Sequence, residues 1–222
     1  SLDLSFNKIR TIENVDTLTS LTDVYFVANK ITKIERLDAL TRLTNLELGA
    51  NRIRIIEGLD ALVNLEQLWL GKNKIAKIQG LGSLKKLKLL SIQSNRVVKI
   101  EGLSGLSSLE ELYLSHNGIE AIADLEAVPK LRVLDVSNNR IANLSGLAPA
   151  TRLEELWASN NNLSSFEEVE SELKDKEQLN TVYFEGNPLE RDARATYRLK
   201  IKTLLPRVIQ IDAAMVRAGP AP

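Results

Sequence analysis

Residues 43–64 read LTNLELGANRIRIIEGLDALVN, and the spacing of their apolar residues changes at the asparagine. Asparagine returns every 22 residues from Asn7 to Asn161, and once more at Asn187, 26 residues later. One residue type held at nine equivalent places is not a chance pattern. The chain therefore consists of one motif, LxxLxLxxNxIxxIxxLxxLxx, written nine times.

A period of 20–29 residues with leucines before an asparagine is the signature of a leucine-rich repeat. Before the asparagine the apolar residues alternate, which predicts a short strand with one buried side. After it they recur every third residue, which suits 3₁₀ turns. Parallel strands at ~4.8 Å lie closer than the turns behind them, so the stack must curve. The predicted fold is an α/β repeat solenoid, a horseshoe with a parallel β-sheet on its concave face and 3₁₀ or short helical turns on its convex face.

The period also divides the chain. Residues 1–187 form nine repeats, of which the first is incomplete, so further N-terminal repeats or a cap are expected before it. Residues 188–212 leave the pattern and predict a C-terminal cap, with a helix from about 190 that ends at Pro206 and a strand over 208–211. Residues 213–222 are predicted to be a flexible tail. The repeated asparagine is expected to bond backbone groups in the turn and to link neighbouring repeats.

Composition limits the classes of function that the chain can have. The chain has no cysteine, a formal net charge of zero and no apolar run of 18 residues, which favours a reducing compartment and predicts no membrane association. Its one histidine, His116, and carboxylates on an open arc do not predict a catalytic centre, a metal site or a cofactor. A basic column follows the asparagines, but glutamates recur along the same edge. We therefore predict a solvated charge ladder and no nucleic-acid partner.

The residues six, four and two positions before each asparagine should point to the concave face. Among these 27 positions, seven are acidic and none is lysine or arginine. The column four positions before the asparagine holds five of the ten aromatic residues of the chain, including both tryptophans. An acidic, aromatic surface suits a protein partner that carries lysine and arginine. The alternative is that these aromatic residues are strand formers that shield one another.

Particular stretches also resemble a known family: the NKI and NRI turns, LYLSHNGIE at 112–120, VYFEGNPLERD at 182–192, and YRLK and LPRVIQIDA after it. The sequence is similar to the nuclear leucine-rich-repeat regulatory subunits of type-1 protein phosphatase. The resemblance implies a non-catalytic protein that binds the phosphatase catalytic subunit, with a third, inhibitory subunit as a further partner. It also implies a location in nucleus and cytoplasm, and we expect a monomer in the absence of partners. The partner-binding residues carried over from the resemblance are Asp3, Tyr25, Glu47, Trp69, Asp135, Glu155, Trp157 and Tyr183, to which the aromatic column adds Tyr113.

The sequence leaves a second hypothesis open. A scaffold of the same repeat class, for example an assembly factor in a cilium or a ribonucleoprotein particle, would have no phosphatase partner and would also use its concave face. Only the family resemblance separates the two hypotheses at this stage.

Overall fold

The structure is a computed structural model, and it describes residues 1–216. Eleven short strands form one sheet in chain order, in which β1 to β10 are parallel and β11 pairs antiparallel with β10. The predicted horseshoe is confirmed. The strands are β1 (Leu2–Asp3), β2 (Asp23–Tyr25), β3 (Asn45–Glu47), β4 (Gln67–Trp69), β5 (Leu89–Ser91), β6 (Glu111–Tyr113), β7 (Val133–Asp135), β8 (Glu155–Trp157), β9 (Thr181–Tyr183), β10 (Gln210–Ile211) and β11 (Ala214–Met215).

Each full repeat contributes the same set of apolar side chains to the core. In the third repeat Leu46, Leu48, Ile53, Ile56 and Leu59 are all buried, and their equivalents in the next repeats are buried as well. A single repeat cannot cover such a face, and stacking buries it against the repeats on either side. The core is therefore one continuous column that runs along the solenoid.

The convex side consists of successive tight turns. Leu40 N–H donates to Leu37 C=O at 2.9 Å, and Leu43 N–H donates to Leu40 C=O at 3.0 Å. This three-residue spacing is the hydrogen-bond pattern of 3₁₀ turns, as the sequence predicts. In one place the turn is a full 3₁₀ helix, Leu125–Ala127.

The repeated asparagines form a hydrogen-bonded ladder. The Asn73 Oδ1 atom accepts from Ile53 N–H in the preceding repeat at 3.0 Å. Its Nδ2 group donates to the carbonyl of Leu48, 25 residues back, and to that of Leu70 in its own repeat, both at 3.0 Å. The side chain thus pairs backbone groups that the turn leaves free and ties two repeats together, which confirms its structural role.

An unpredicted helix, α1 (Phe166–Leu173), occupies the convex side of the longest repeat. Ser165 caps its N-terminus by accepting from Glu168 N–H at 3.1 Å. The helix takes up the extra residues of this repeat, because the ladder bond from Leu163 N–H to Asn187 Oδ1 spans 24 residues where the others span 20. The concave side therefore continues without interruption.

The C-terminal cap differs in detail from the prediction. Two helices, α2 (Pro188–Asp192) and α3 (Tyr197–Leu204), replace the single helix expected from about 190 to Pro206. Asp212 caps the last repeat, since its Oδ1 atom accepts from Phe184 N–H at 2.8 Å and from Glu185 N–H at 3.1 Å. In the third repeat the N–H equivalent to that of Phe184, on Leu48, donates to the Trp69 carbonyl of the next strand. The predicted tail over 213–222 begins with ordered residues, because 214–215 form β11, and residues 217–222 lie outside the described part of the chain.

None of the helices described over residues 1–216 has the length and apolar character needed to cross a membrane.

Candidate functional site: the concave face

The strands place the predicted site residues in one row across the concave face. Strand register sets Asp3 opposite Tyr25, Tyr25 opposite Glu47, and Glu47 opposite Trp69. The row continues through Ser91 to the C-terminal half. Eight of the nine predicted residues lie in this row, namely Asp3, Tyr25, Glu47, Trp69, Tyr113, Asp135, Trp157 and Tyr183, and Glu155 lies in the adjoining row.

Three of the aromatic side chains form a cluster in the C-terminal half. The ring of Trp157 lies 5.7 Å from that of Tyr183 and 6.1 Å from that of Tyr113, measured between centroids. The interplanar angle of 62° to Tyr113 is an edge-to-face arrangement, which is favourable for aromatic pairs. Tyr113 and Trp157 come from strands that are not neighbours, so their rings meet above the strand between them. We call Tyr113, Trp157 and Tyr183 the aromatic cluster.

Carboxylates on the same strands hold two of these rings. Tyr113 Oη donates to Glu111 Oε2 at 2.7 Å, and Trp157 Nε1 donates to Glu155 Oε2 at 3.0 Å. Burial raises the pKa of Tyr113 far above its usual value, with further contributions from the bond to Glu111 and from the charges of Glu155 and Asp135. The phenol therefore stays protonated, and the rings are oriented before any partner arrives.

Asp135 lies deeper in the concave face than its neighbours in the row. It faces the concave side as expected, yet it is only 3% exposed because it lies on the floor between Tyr113 and Trp157. Its Oδ1 atom accepts from Ser137 N–H at 3.0 Å, and its Oδ2 atom accepts from Gln93 Nε2 at 3.3 Å. Asp135 thus supports the aromatic cluster from below, and its contact with a partner stays a prediction.

The N-terminal half of the face is more open. A shallow hollow lies beside Trp69 and Glu47, and its floor is formed by Gly49 and Gly71. Burial raises the pKa of Glu47, and the negative charge of Asp3 raises it further. Asp3 itself is exposed, and its hydrogen bonds with Ser5 lower its pKa. This half offers carboxylates and one tryptophan without a packed cluster.

Sequence reasoning missed a row of alternating charge seven positions before the asparagines. Lys88 Nζ lies 2.8 Å from Glu66 Oε2, and the Arg132 guanidinium lies 2.8 Å from Glu154 Oε1 and 3.5 Å from Glu110 Oε2. Arg132 lowers the pKa of Glu154 through this hydrogen bond. The sequence contains a signal for this row, because these five residues recur every 22 positions and their charges alternate between negative and positive. The row borders the concave face and pairs its own charges.

Metal binding has no support in the described part of the chain. In residues 1–216, no group of three histidine, cysteine, aspartate or glutamate side chains is placed to hold a metal ion. His116 is exposed on the turn before its asparagine, with a φ of 56°. The concave arrangement instead offers oriented aromatic rings and carboxylates to another molecule's surface.

Family models agree with this architecture. A model described as leucine-rich repeat matches residues 1–102, and one described as leucine-rich repeats in two copies matches residues 85–127 and 107–149. Together these models match residues 1–149, and the chain has the leucine-rich-repeat fold.

Curated relatives make the resemblance more specific. Over 49 residues the chain is 56% identical to "Protein phosphatase 1 regulatory subunit SDS22" of Schizosaccharomyces pombe, a stretch that covers 22% of this chain and 15% of that protein. Over 46 residues it is 56% identical to "Protein phosphatase 1 regulatory subunit 7" of Bos taurus, covering 21% of this chain and 12% of that protein. The resemblance predicted from the repeats is confirmed, and the matched stretches span less than a fifth of either relative.

Solved structures support the fold. A leucine-rich-repeat protein of Leptospira interrogans superposes with a TM-score of 0.74 at 26% identity, over 95% of this chain and 59% of that one. The functional domain of InlJ from Listeria monocytogenes gives a TM-score of 0.69 at 22% identity, over 95% of this chain and 52% of that one. The second likeness shows the fold alone.

Proposed function

We propose that this chain is a non-catalytic regulatory subunit that binds the catalytic subunit of type-1 protein serine/threonine phosphatase through its concave face. The relatives named as regulatory subunits of that phosphatase support the choice of partner. They also support a regulatory role rather than a catalytic one. The proposal includes a location in nucleus and cytoplasm, a monomeric state without partners, and room for a third, inhibitory subunit in the complex.

The aromatic cluster is the observation that carries this proposal. Binding hot spots are enriched in tryptophan and tyrosine that pack closely and exclude water. Trp157 contacts two other rings, and its indole N–H is already bonded to Glu155. Its orientation is therefore fixed before binding, which lowers the entropy lost when a partner covers it.

Charge supports a basic partner surface. The concave columns contain seven carboxylates and no lysine or arginine. Glu111 and Glu155 each accept one bond from a ring and keep further acceptor capacity for an incoming ammonium or guanidinium. The acidic columns also repel phosphate backbones, which supports a protein partner over a nucleic acid.

Calorimetric titration against purified type-1 phosphatase catalytic subunit tests the proposal, with the phosphatase in metal-loaded and metal-stripped forms. We expect Trp157→Ala to weaken binding about thirtyfold or more, as for a central anchor. Glu155→Gln should weaken it less, because the amide keeps one acceptor for the indole. Leu199→Ala and Glu120→Gln serve as controls, since both residues are exposed outside the concave columns.

Two results would contradict the proposal. One is the absence of binding heat with both forms of the phosphatase, while thermal unfolding shows the chain to be folded. The other is binding that Trp157→Ala and the two control variants weaken equally. Either result would favour the scaffold hypothesis, in which the concave face serves a different partner.

A further inference from the structure

One edge of the solenoid carries a row of basic side chains that the concave site does not use. The residue directly after the ladder asparagine is basic in each of the first five repeats. We call this row the basic stripe. It consists of Lys8, Lys30, Arg52, Lys74 and Arg96.

The backbone fixes the stripe in register. Arg52 N–H donates to the Ile31 carbonyl of the preceding repeat at 2.8 Å, and Lys74 N–H makes the equivalent bond to Ile53 at 2.8 Å. Neighbouring strands lie about 4.8 Å apart, so five repeats spread these charges over about 19 Å. The stripe is therefore a regular array of cations on a rigid support.

The stripe is unpaired, unlike the three lysines that lie four positions after a ladder asparagine. We call these three lysines the outer row: Lys33 lies 3.5 Å from Glu35, and Lys77 and Lys99 lie 3.7 and 3.4 Å from Glu101, which they share. Within residues 1–216, no carboxylate oxygen lies within 4.0 Å of a charged nitrogen of the stripe. The mixed charge ladder predicted from the sequence thus describes the outer row and not the stripe.

From this geometry we infer that the basic stripe binds an extended acidic segment of a partner polypeptide. An extended chain is narrow enough to lie along a single row, and its side chains on one side repeat at roughly 6.6 to 6.8 Å. Three or four carboxylates then span the same length as the five cations, and long lysine and arginine side chains absorb the difference in spacing.

A nucleic acid fits this edge less well. Single strands are held by a basic groove together with aromatic rings on which bases stack. Here the aromatic column lies on the concave face, among carboxylates that repel phosphates. The inference goes beyond the proposed phosphatase binding and does not depend on it, because the stripe and the concave columns share no residue.

Fluorescence anisotropy with three labelled probes tests the inference: a decaglutamate peptide, a serine-glycine decapeptide, and a ten-nucleotide oligodeoxythymidine. The variants are Arg52→Gln/Lys74→Gln in the stripe and Lys33→Gln/Lys99→Gln in the paired outer row. Both remove two positive charges, so the second is a matched control for net charge. All four side chains are partly or fully exposed, and circular dichroism should show unchanged folding.

At about 50 mM salt we expect decaglutamate to bind, and the stripe variant to bind it roughly tenfold more weakly than the wild type. The outer-row variant should lose less than about threefold, and the uncharged peptide should not bind. Three results would overturn the inference: no binding of decaglutamate, equal losses in the two variants, or oligodeoxythymidine binding as tightly as decaglutamate. The last result would assign the edge to a nucleic acid.

Discussion

Replacing Asn73 with alanine removes an amide from the middle of the ladder and leaves the apolar core intact. The side chain is 9% exposed, so water does not readily take its place. Four backbone groups lose a partner: the N–H of Ile53 and the carbonyls of Leu48, Leu70 and Gly71. Each carbonyl keeps a second donor, namely Asn51 Nδ2, Asn95 Nδ2 and Ala50 N–H in turn, so only the Ile53 N–H is left alone. Two of these groups belong to the preceding repeat, and the change therefore weakens a junction as well as a turn.

The expected cost follows from those groups. The Ile53 N–H loses its only hydrogen bond, which costs about 1–3 kcal/mol, and each carbonyl adds less because it keeps a second donor. We expect Asn73→Ala to lower the free energy of unfolding by about 2–4 kcal/mol. Asn7 is the matched comparison, because it is exposed and donates only to the carbonyls of Leu4 and Ser5 in its own repeat. Asn7→Ala should cost about 1 kcal/mol or less.

Urea unfolding, followed by tryptophan fluorescence and by far-ultraviolet circular dichroism, measures both values. The two probes should give coincident transitions, with the slope of free energy against urea unchanged in each variant. A loss below about 1 kcal/mol in Asn73→Ala would refute the reasoning. Equal losses in Asn73→Ala and Asn7→Ala would also refute it, because the difference in burial and in bonds between repeats would then have no energetic effect.

Three further changes test backbone and charge effects by the same urea assay. Gly102→Ala should destabilise the fold by about 2 kcal/mol or more, because φ is +73° and the new Cβ would lie 2.2 Å from a carbonyl oxygen of the preceding repeat. Ala50→Gly should stabilise it by about 0.5 kcal/mol, since φ is 54° there, and a loss would contradict this account. Arg132→Gln should cost about 1 kcal/mol or less. That cost should vanish at about 1 M salt. The folded state lowers the pKa of Glu154, so the cost of Arg132→Gln should be present above the ordinary glutamate pKa and disappear as the pH falls through the folded-state pKa. A cost that is unchanged at low pH would exclude the ion pair as its source.

The repeat itself could be predicted from the sequence in detail. The ladder asparagines, the buried positions and the three concave columns follow from one period, because every repeat must present the same groups to its neighbours. The position of Trp69 and Trp157 in one concave row could be predicted for the same reason. Aromatic side chains in that row face the concave side in the structure.

Features that depend on contacts between side chains could not be predicted in this way. Asp135 is buried because the rings of Tyr113 and Trp157 meet above the strand between them. The spacing of residues in the sequence does not determine that contact. The sequence left two interpretations of the aromatic column, a partner surface and strand formers that shield one another. The structure is compatible with both, since three rings shield one another and still border the open face. The pairing of charges on the outer edge likewise depends on rotamers.

Helix α1 was missed although its signals were present. Ser165 and Glu168 have the spacing of a capping box, and Phe166, Val169 and Leu173 recur at helical intervals. The 22-residue period does not reveal this helix, because the apolar spacing of three and four residues belongs to the inserted segment and not to the repeat. A segment that departs from the repeat can therefore form a helix with an apolar spacing of its own.

The longest repeat also shows where this scaffold accepts additional chain. Its ladder bonds to Leu163 and Ala158 keep distances of 3.0 and 2.9 Å, although they span 24 and 29 residues where the ladder bonds of Asn73 span 20 and 25. Extra residues on the convex side thus leave the geometry of the strands and of the asparagine turn unchanged. For protein engineering, the convex turns of the other repeats are the sites at which an epitope or a fluorescent reporter can be grafted without altering the concave face.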